Sequence, residues 1–245
     1  MNGPTHRLVA NLALSCLDMK ERYILFPRWG GIESGAILSD EFRIMWEPEV
    51  AGAKNKQLVH RCYIDSSDSK NHGCVTRAWD HAEGSKSFIK DYLEDGDSMG
   101  YSEDEFLENL GMFLGITSHH ISDLCTPVHV GHKMDYLKAG SKSQSAFHKI
   151  IERDIVRYSN QATIKLCKPR KVLLSKKYFF NIAKDTYSNL FVNLEQIYGK
   201  NNVDGKVEMT SWVISNSVKH TVNVWHTILL ETGIKGRKWS MQPLL

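Results

Sequence analysis

Residues 102–127 read SEDEFLENLGMFLGITSHHISDLCTP, and the reading of this stretch decides the fold. Ser102 with Glu105 three positions on is a capping box, in which each side chain reaches the other's backbone N–H at a helix start. Glu103, Asp104 and Glu105 put negative charge where the helix dipole is positive. From there Phe106, Leu110, Phe113, Leu114, Thr117, Ile121 and Leu124 recur at spacings of three and four, the period of one buried helical face. Pro127 should end the helix, because the residue before a proline avoids the helical region.

The same period recurs on both sides. His6 to about Arg22 lines up Leu8, Leu12, Cys16 and Met19. Trp79 to Leu93 is helical again, and further helices are expected over 143–167, 175–199 and 209–232. From Phe26 to about Asn71 the pattern loosens, and Gly30, Gly31, Gly35, Pro48 and Gly52 predict loops and short pieces. Strand-like alternation is scarce. The expected fold class is all-α: one multi-helical bundle forming a single domain over residues 1–245.

Composition excludes several classes. A hydrophobic share of 42% with 24% charged residues is ordinary for a soluble globular chain of 245 residues. The net charge of +3 is too small to argue by itself for a nucleic-acid or membrane partner. Cys16, Cys62, Cys74, Cys125 and Cys167 are odd in number and form no C-x-x-C pair, so they read as reduced or buried thiols. The N-terminus lacks the charged, apolar and small-residue regions of a leader. The expectation is a cytoplasmic protein, or a secreted one whose leader has been removed. The cluster KPRKVLLSKK (168–177) reads as solvated helix ends, with transient contact to an anionic lipid surface as the alternative.

The chemistry concentrates in HHISDLCTPVHVGH (119–132). His119 and Asp123 are four residues apart and share one helix face. His129 follows beyond Pro127, where a turn can aim it back. His148 and Glu152 repeat the four-residue spacing in the next helix. His60, Asp40 and His6 lie upstream. Taken singly, each has an ordinary reading: a surface ion pair, a loop histidine, or an N-cap for Asp40. Taken together, imidazoles and carboxylates suit zinc, which takes nitrogen and oxygen donors readily.

The order Asp…His…His-x3-Asp-x5-His…His-x3-Glu, with a histidine near the N-terminus, resembles the zinc-dependent phospholipase C family, whose superfamily includes the P1/S1-type nucleases. The resemblance runs from residue 1 to about 155 and implies a three-zinc site. One zinc would take Asp40, His60, His119 and Asp123. A second would take His129, His148 and Glu152. The third would take His6, Asp123 as a bridge, and the backbone amine and carbonyl of Met1, where family members typically begin with tryptophan. Asp40 or Glu41 would orient or deprotonate the attacking water. His72, His81, His120, His132, His220 and His226 match no family ligand. The implied activity is hydrolysis of a phospholipid to diacylglycerol and a phosphorylated head group.

Glu152 follows the phospholipase branch, since the nucleases usually place aspartate there. Glu41 and Gln57 stand where choline-selecting members carry aromatic residues, which speaks against an aromatic cage for a quaternary ammonium and leaves open a different head group or another phosphomonoester or diester. The expected partner is a phospholipid or another phosphodiester, with no stable nucleic-acid partner. The alternatives are a P1-like nuclease or 3′-nucleotidase, and a zinc-binding protein without hydrolytic activity.

Overall fold

The structure, a computed structural model, describes residues 3–41, 60–67, 72–96 and 100–239, without the side chains of 38–41. The expectations that fall on Met1, on Gln57 and on the side chains of Asp40 and Glu41 therefore lie outside the described residues. Ten α-helices are seen among the described residues: α1 (Gly3–Cys16), α2 (Met19–Leu25), α3 (Trp29–Glu41), α4 (Gly73–Asp95), α5 (Glu103–Leu124), α6 (Pro127–Val130), α7 (Gln144–Tyr158), α8 (Lys176–Asn189), α9 (Leu194–Gly199) and α10 (Val203–Glu231). Short 3₁₀ turns sit at Phe26–Arg28, Phe191–Asn193 and Ile234–Gly236. No described residue is in a strand, and the described residues form an all-α, multi-helical bundle.

The helix read from residues 102–127 is present as α5. Ser102 Oγ accepts from the Glu105 N–H at 3.2 Å, and the Ser102 N–H donates to Glu105 Oε2 at 2.9 Å. The helix stops at Leu124, and Pro127 opens α6 at a position where its missing N–H costs nothing. Phe106, Leu107, Leu110, Leu114, Ile121 and Leu124 are fully buried. Phe113, placed on the same face by its spacing, is only half-buried.

Two expectations are corrected. The glycine-bearing stretch after Phe26 is not a loop: residues 29–41 form α3, so Asp40 sits inside a helix and cannot be its N-cap. Gly35 and Gly115 explain why. A Cβ on Gly35 would overlap the Met112 carbonyl oxygen of α5, and one on Gly115 would overlap the Ile32 carbonyl oxygen of α3. Bare glycines let the two backbones touch, and tertiary packing overrides weak helix propensity. The helix expected over 143–167 ends at Tyr158, and 161–174 runs as an extended strap. Elsewhere the differences concern boundaries: His6–Arg22 divides into α1 and α2 at Asp18, whose side chain caps α2, and 175–199 divides into α8 and α9.

α10 is the long inner helix. Trp225 is fully buried on it, and its indole N–H donates to the Leu114 carbonyl of α5 at 3.0 Å. α1, α5 and α7 pack against α10, and they carry His6, His119, Asp123, His148 and Glu152, while His129 stands on α6 and His60 on the segment before α4.

Candidate metal centre

α5 brings His119 and Asp123 onto one buried face, with relative exposures of 0% and 1%. Such burial of a carboxylate is costly unless other groups compensate. His60 reaches in from the segment before α4, with Nδ1 2.8 Å from Asp123 Oδ2 and 3.2 Å from His119 Nε2. His119 Nε2 lies 3.3 Å from the same carboxylate oxygen. Zinc bound tetrahedrally at 2.0–2.1 Å needs donors about 3.3 Å apart. The three donor atoms, at mutual distances of 2.8, 3.2 and 3.3 Å, form one face of such a tetrahedron.

The other carboxylate oxygen serves a second direction. Asp123 Oδ1 is 3.9 Å from His6 Nε2 on α1 and 3.7 Å from His129 Nε2 on α6. His6 stacks on His119 with ring centres 3.9 Å apart. On α7, His148 Nε2 lies 3.0 Å from Glu152 Oε1, and His129 Nε2 lies 3.9 Å from that oxygen. His6, His60, His119, Asp123, His129, His148 and Glu152 thus form a continuous cluster around Asp123.

Two backbone carbonyls orient the rings. His119 Nδ1 donates to the Ala36 carbonyl of α3 at 3.0 Å, and His129 Nδ1 donates to the His60 carbonyl at 2.6 Å. With Nδ1 holding the proton, the Nε2 lone pair of each ring faces the carboxylates. The Gly35–Gly115 contact therefore matters to the site: it sets α3 at the distance where Ala36 holds His119. His129 also keeps the entry segment in place, because its own carbonyl accepts from the Cys62 N–H at 2.7 Å.

The electrostatics agree with a neutral His129 beside ionised acids. Burial lowers the His129 pKa to about 4, against the opposing pull of Asp123. Burial alone would raise the Asp123 carboxyl, but His129 and His119 outweigh it and hold the group well below the ordinary carboxylate range. Glu152 is likewise lowered, despite burial, by the imidazoles of His129 and His148 beside it. His129 Nε2 is buried without a hydrogen-bond partner, at 3.7 and 3.9 Å from its two carboxylate neighbours. Divalent cations fit this convergence of imidazole nitrogens and carboxylate oxygens.

His120 was not singled out by its spacing, yet it belongs to this region. It is fully buried, both ring nitrogens lack hydrogen-bond partners, and its ring lies between those of His60 and His81 at 5.6 and 5.3 Å. One of its nitrogens lies within 4.8 Å of the donors of His60, His119 and Asp123, so this group of four can hold an ion. No sequence signal marks it, since one residue's offset from His119 turns it away from the His119–Asp123 face. Of the remaining histidines, His132 Nδ1 is 2.7 Å from Asp65, His220 Nδ1 is 2.9 Å from the Tyr178 hydroxyl and His226 Nδ1 is 2.5 Å from Glu21, whereas His72 and His81 each bury an Nε2 without a hydrogen-bond partner.

Comparison with known proteins places the fold. No family model and no curated protein matches the sequence. Among solved structures, alpha-toxin of Clostridium perfringens from an avian strain superposes with a TM-score of 0.59 at 12% identity. The match covers 97% of this chain and 65% of the toxin chain, so this chain spans about two-thirds of that protein's length. At that identity the likeness is one of fold.

Proposed function

We propose that the chain is a zinc-dependent phosphodiester hydrolase of the phospholipase C type, acting as one domain on a phospholipid. The observation that carries this reading is the triangle of His60, His119 and Asp123 donors, continued through the second Asp123 oxygen to His6 and His129 and on to His148 and Glu152. A bridging carboxylate between two histidine-rich pockets is what closely spaced zinc ions require. Bound there, zinc ions would neutralise the developing phosphoryl charge and lower the pKa of water. The full proposed ligand set is Met1, His6, Asp40, His60, His119, Asp123, His129, His148 and Glu152, with Asp40 or Glu41 directing the attacking water.

The chain's own groups have definite tasks. Asp123 fixes the spacing between the pockets. Ala36 and His60 carbonyls hold His119 and His129 in the tautomer that binds. Lys149, Arg153 and Arg157, spaced four residues apart on α7, line an open depression of about 490 Å³ together with Glu152 and Val156. Cations at the edge of the pocket attract and orient an anionic phosphodiester.

Elemental analysis of protein purified without chelators, followed by assays on phospholipid vesicles and on single-stranded nucleic acid, tests the reading. Several zinc ions per chain and release of a phosphorylated head group are expected. Chains without zinc would refute it, cleavage of nucleic acid alone would make the protein a P1-like nuclease, and bound zinc without hydrolysis of either would make it a metal-binding protein.

A further inference from the structure

The strap between α7 and α8 has a construction unlike the rest of the bundle. Its backbone donors are taken by side chains of α10: Thr163 N–H to Ser211 Oγ (3.0 Å), Lys165 N–H to Ser215 Oγ (2.9 Å), Arg170 N–H to Asn223 Oδ1 (2.9 Å) and Val172 N–H to Thr227 Oγ1 (3.0 Å). Nine steps along the strap therefore match sixteen along the helix, about 24 Å at the helical rise, which makes the strap far more stretched than a helix though short of full extension. Ile164, Cys167 and Leu174 turn inward onto the core.

The outward side is the unusual part. Leu166 and Leu173 are 56% and 83% exposed, and Lys165, Lys168, Arg170 and Lys171 are exposed around them. Lys176 and Lys177 continue the cationic surface at the start of α8. From Ile155 to Lys184 the chain carries no aspartate or glutamate at all. Glu231 of α10 pairs with Lys171 at 3.2 Å, and the strap itself supplies no counter-charge to the other cations. Two leucines presented on a rigid backbone and ringed by cations have the chemistry of an interfacial lipid contact: apolar groups enter the acyl boundary while lysine and arginine meet anionic head groups.

We propose that the outer face of residues 165–177 docks the protein on an anionic membrane surface, with Leu166 and Leu173 inserted and Lys165, Lys168, Arg170 and Lys171 at head-group level. The binding needs neither metal nor turnover.

The test is sedimentation of the full zinc-loaded chain with vesicles of phosphatidylcholine alone and of phosphatidylcholine mixed with phosphatidylglycerol. Binding to the mixed vesicles, weakened by salt and nearly absent on the neutral ones, is expected. The double substitution Leu166→Ser and Leu173→Ser should lower partition about tenfold or more. Each of Lys165→Gln, Lys168→Gln and Arg170→Gln should lower it about fivefold, the equivalent of the usual contribution of one cation near an anionic surface. Leu173→Trp should add fluorescence that is quenched by lipids brominated on the acyl chains. All these positions are exposed, so zinc content and thermal unfolding of the variants should match the parent. Equal binding to both vesicle types, partition unchanged by the leucine substitutions, binding to single-stranded nucleic acid but not vesicles, or an effect confined to self-association would overturn the proposal. Because binding is read without hydrolysis, its failure leaves the hydrolase reading standing, and loss of hydrolase activity leaves this one standing.

Discussion

At the scale of single residues, Asp123 is the hinge of the centre. One of its oxygens closes the His60–His119 triangle, and the other faces His6 and His129. Asp123→Asn keeps the shape and removes the charge. Less than the parental zinc content and loss of hydrolysis by at least about a hundredfold are expected, given the usual effect of disturbing metal-site groups; parental metal content and parental rate would show that the carboxylate does not bridge. Circular dichroism separates this from unfolding. Glu152→Gln should instead remove only the zinc held with His129 and His148, so elemental analysis should show a smaller deficit than for Asp123→Asn. The pairs His119–Asp123 and His148–Glu152 were legible because the helical period alone puts residues four apart side by side. His6 and His60 were legible only through the resemblance, since nothing local links them to α5. His120 was not legible: its place depends on how α4 packs its His81 against α5.

At the scale of elements, helix existence followed from periodicity and capping, whereas glycine and strap segments did not. α3 carries three glycines that local propensity counts against a helix, but Gly35 and Gly115 are where α3 and α5 backbones meet. Gly115→Ala should force the two helices apart and destabilise the fold by about 1–3 kcal/mol, the usual cost of overpacking. It should also weaken zinc binding, because Ala36 moves away from His119. Chemical denaturation and a zinc titration check both effects, and a variant with parental stability and affinity would refute the link. The first part of the strap, to residue 167, was read as the end of a helix. Pro169 and the β-branched Thr163, Ile164 and Val172 disfavour helix, and the side chains of α10 supply the hydrogen bonds that a helix would otherwise make internally. The α7 cations offer a third element-scale prediction: replacing Lys149, Arg153 and Arg157 with glutamine should raise KM for an anionic substrate and flatten its salt dependence, with kcat little changed. An unchanged KM would remove these side chains from substrate capture.

At the scale of the whole molecule, buried neutral histidines outside the centre make stability depend on acid. Burial lowers His81 to about 4 and His220 to about 3, from the 6.5 of an exposed group, with the Arg77 and Lys219 charges adding to the effect. In the unfolded chain both take up protons near pH 6.5, while in the folded chain they stay neutral. Between that pH and their folded values the unfolded state binds more protons, so stability falls as pH is lowered, and each group contributes a slope of about 1.4 kcal/mol per pH unit. Glu21 with His226 and Lys235 ties α2 to α10 and the turn after it. His220→Gln keeps a neutral hydrogen-bonding group near Tyr178 and removes one titrating site. With zinc saturating in both proteins, urea denaturation between about pH 6 and 5 should show a slope smaller by about 1.4 kcal/mol per pH unit in the variant. Parallel curves would mean that His220 does not stay neutral in the folded protein.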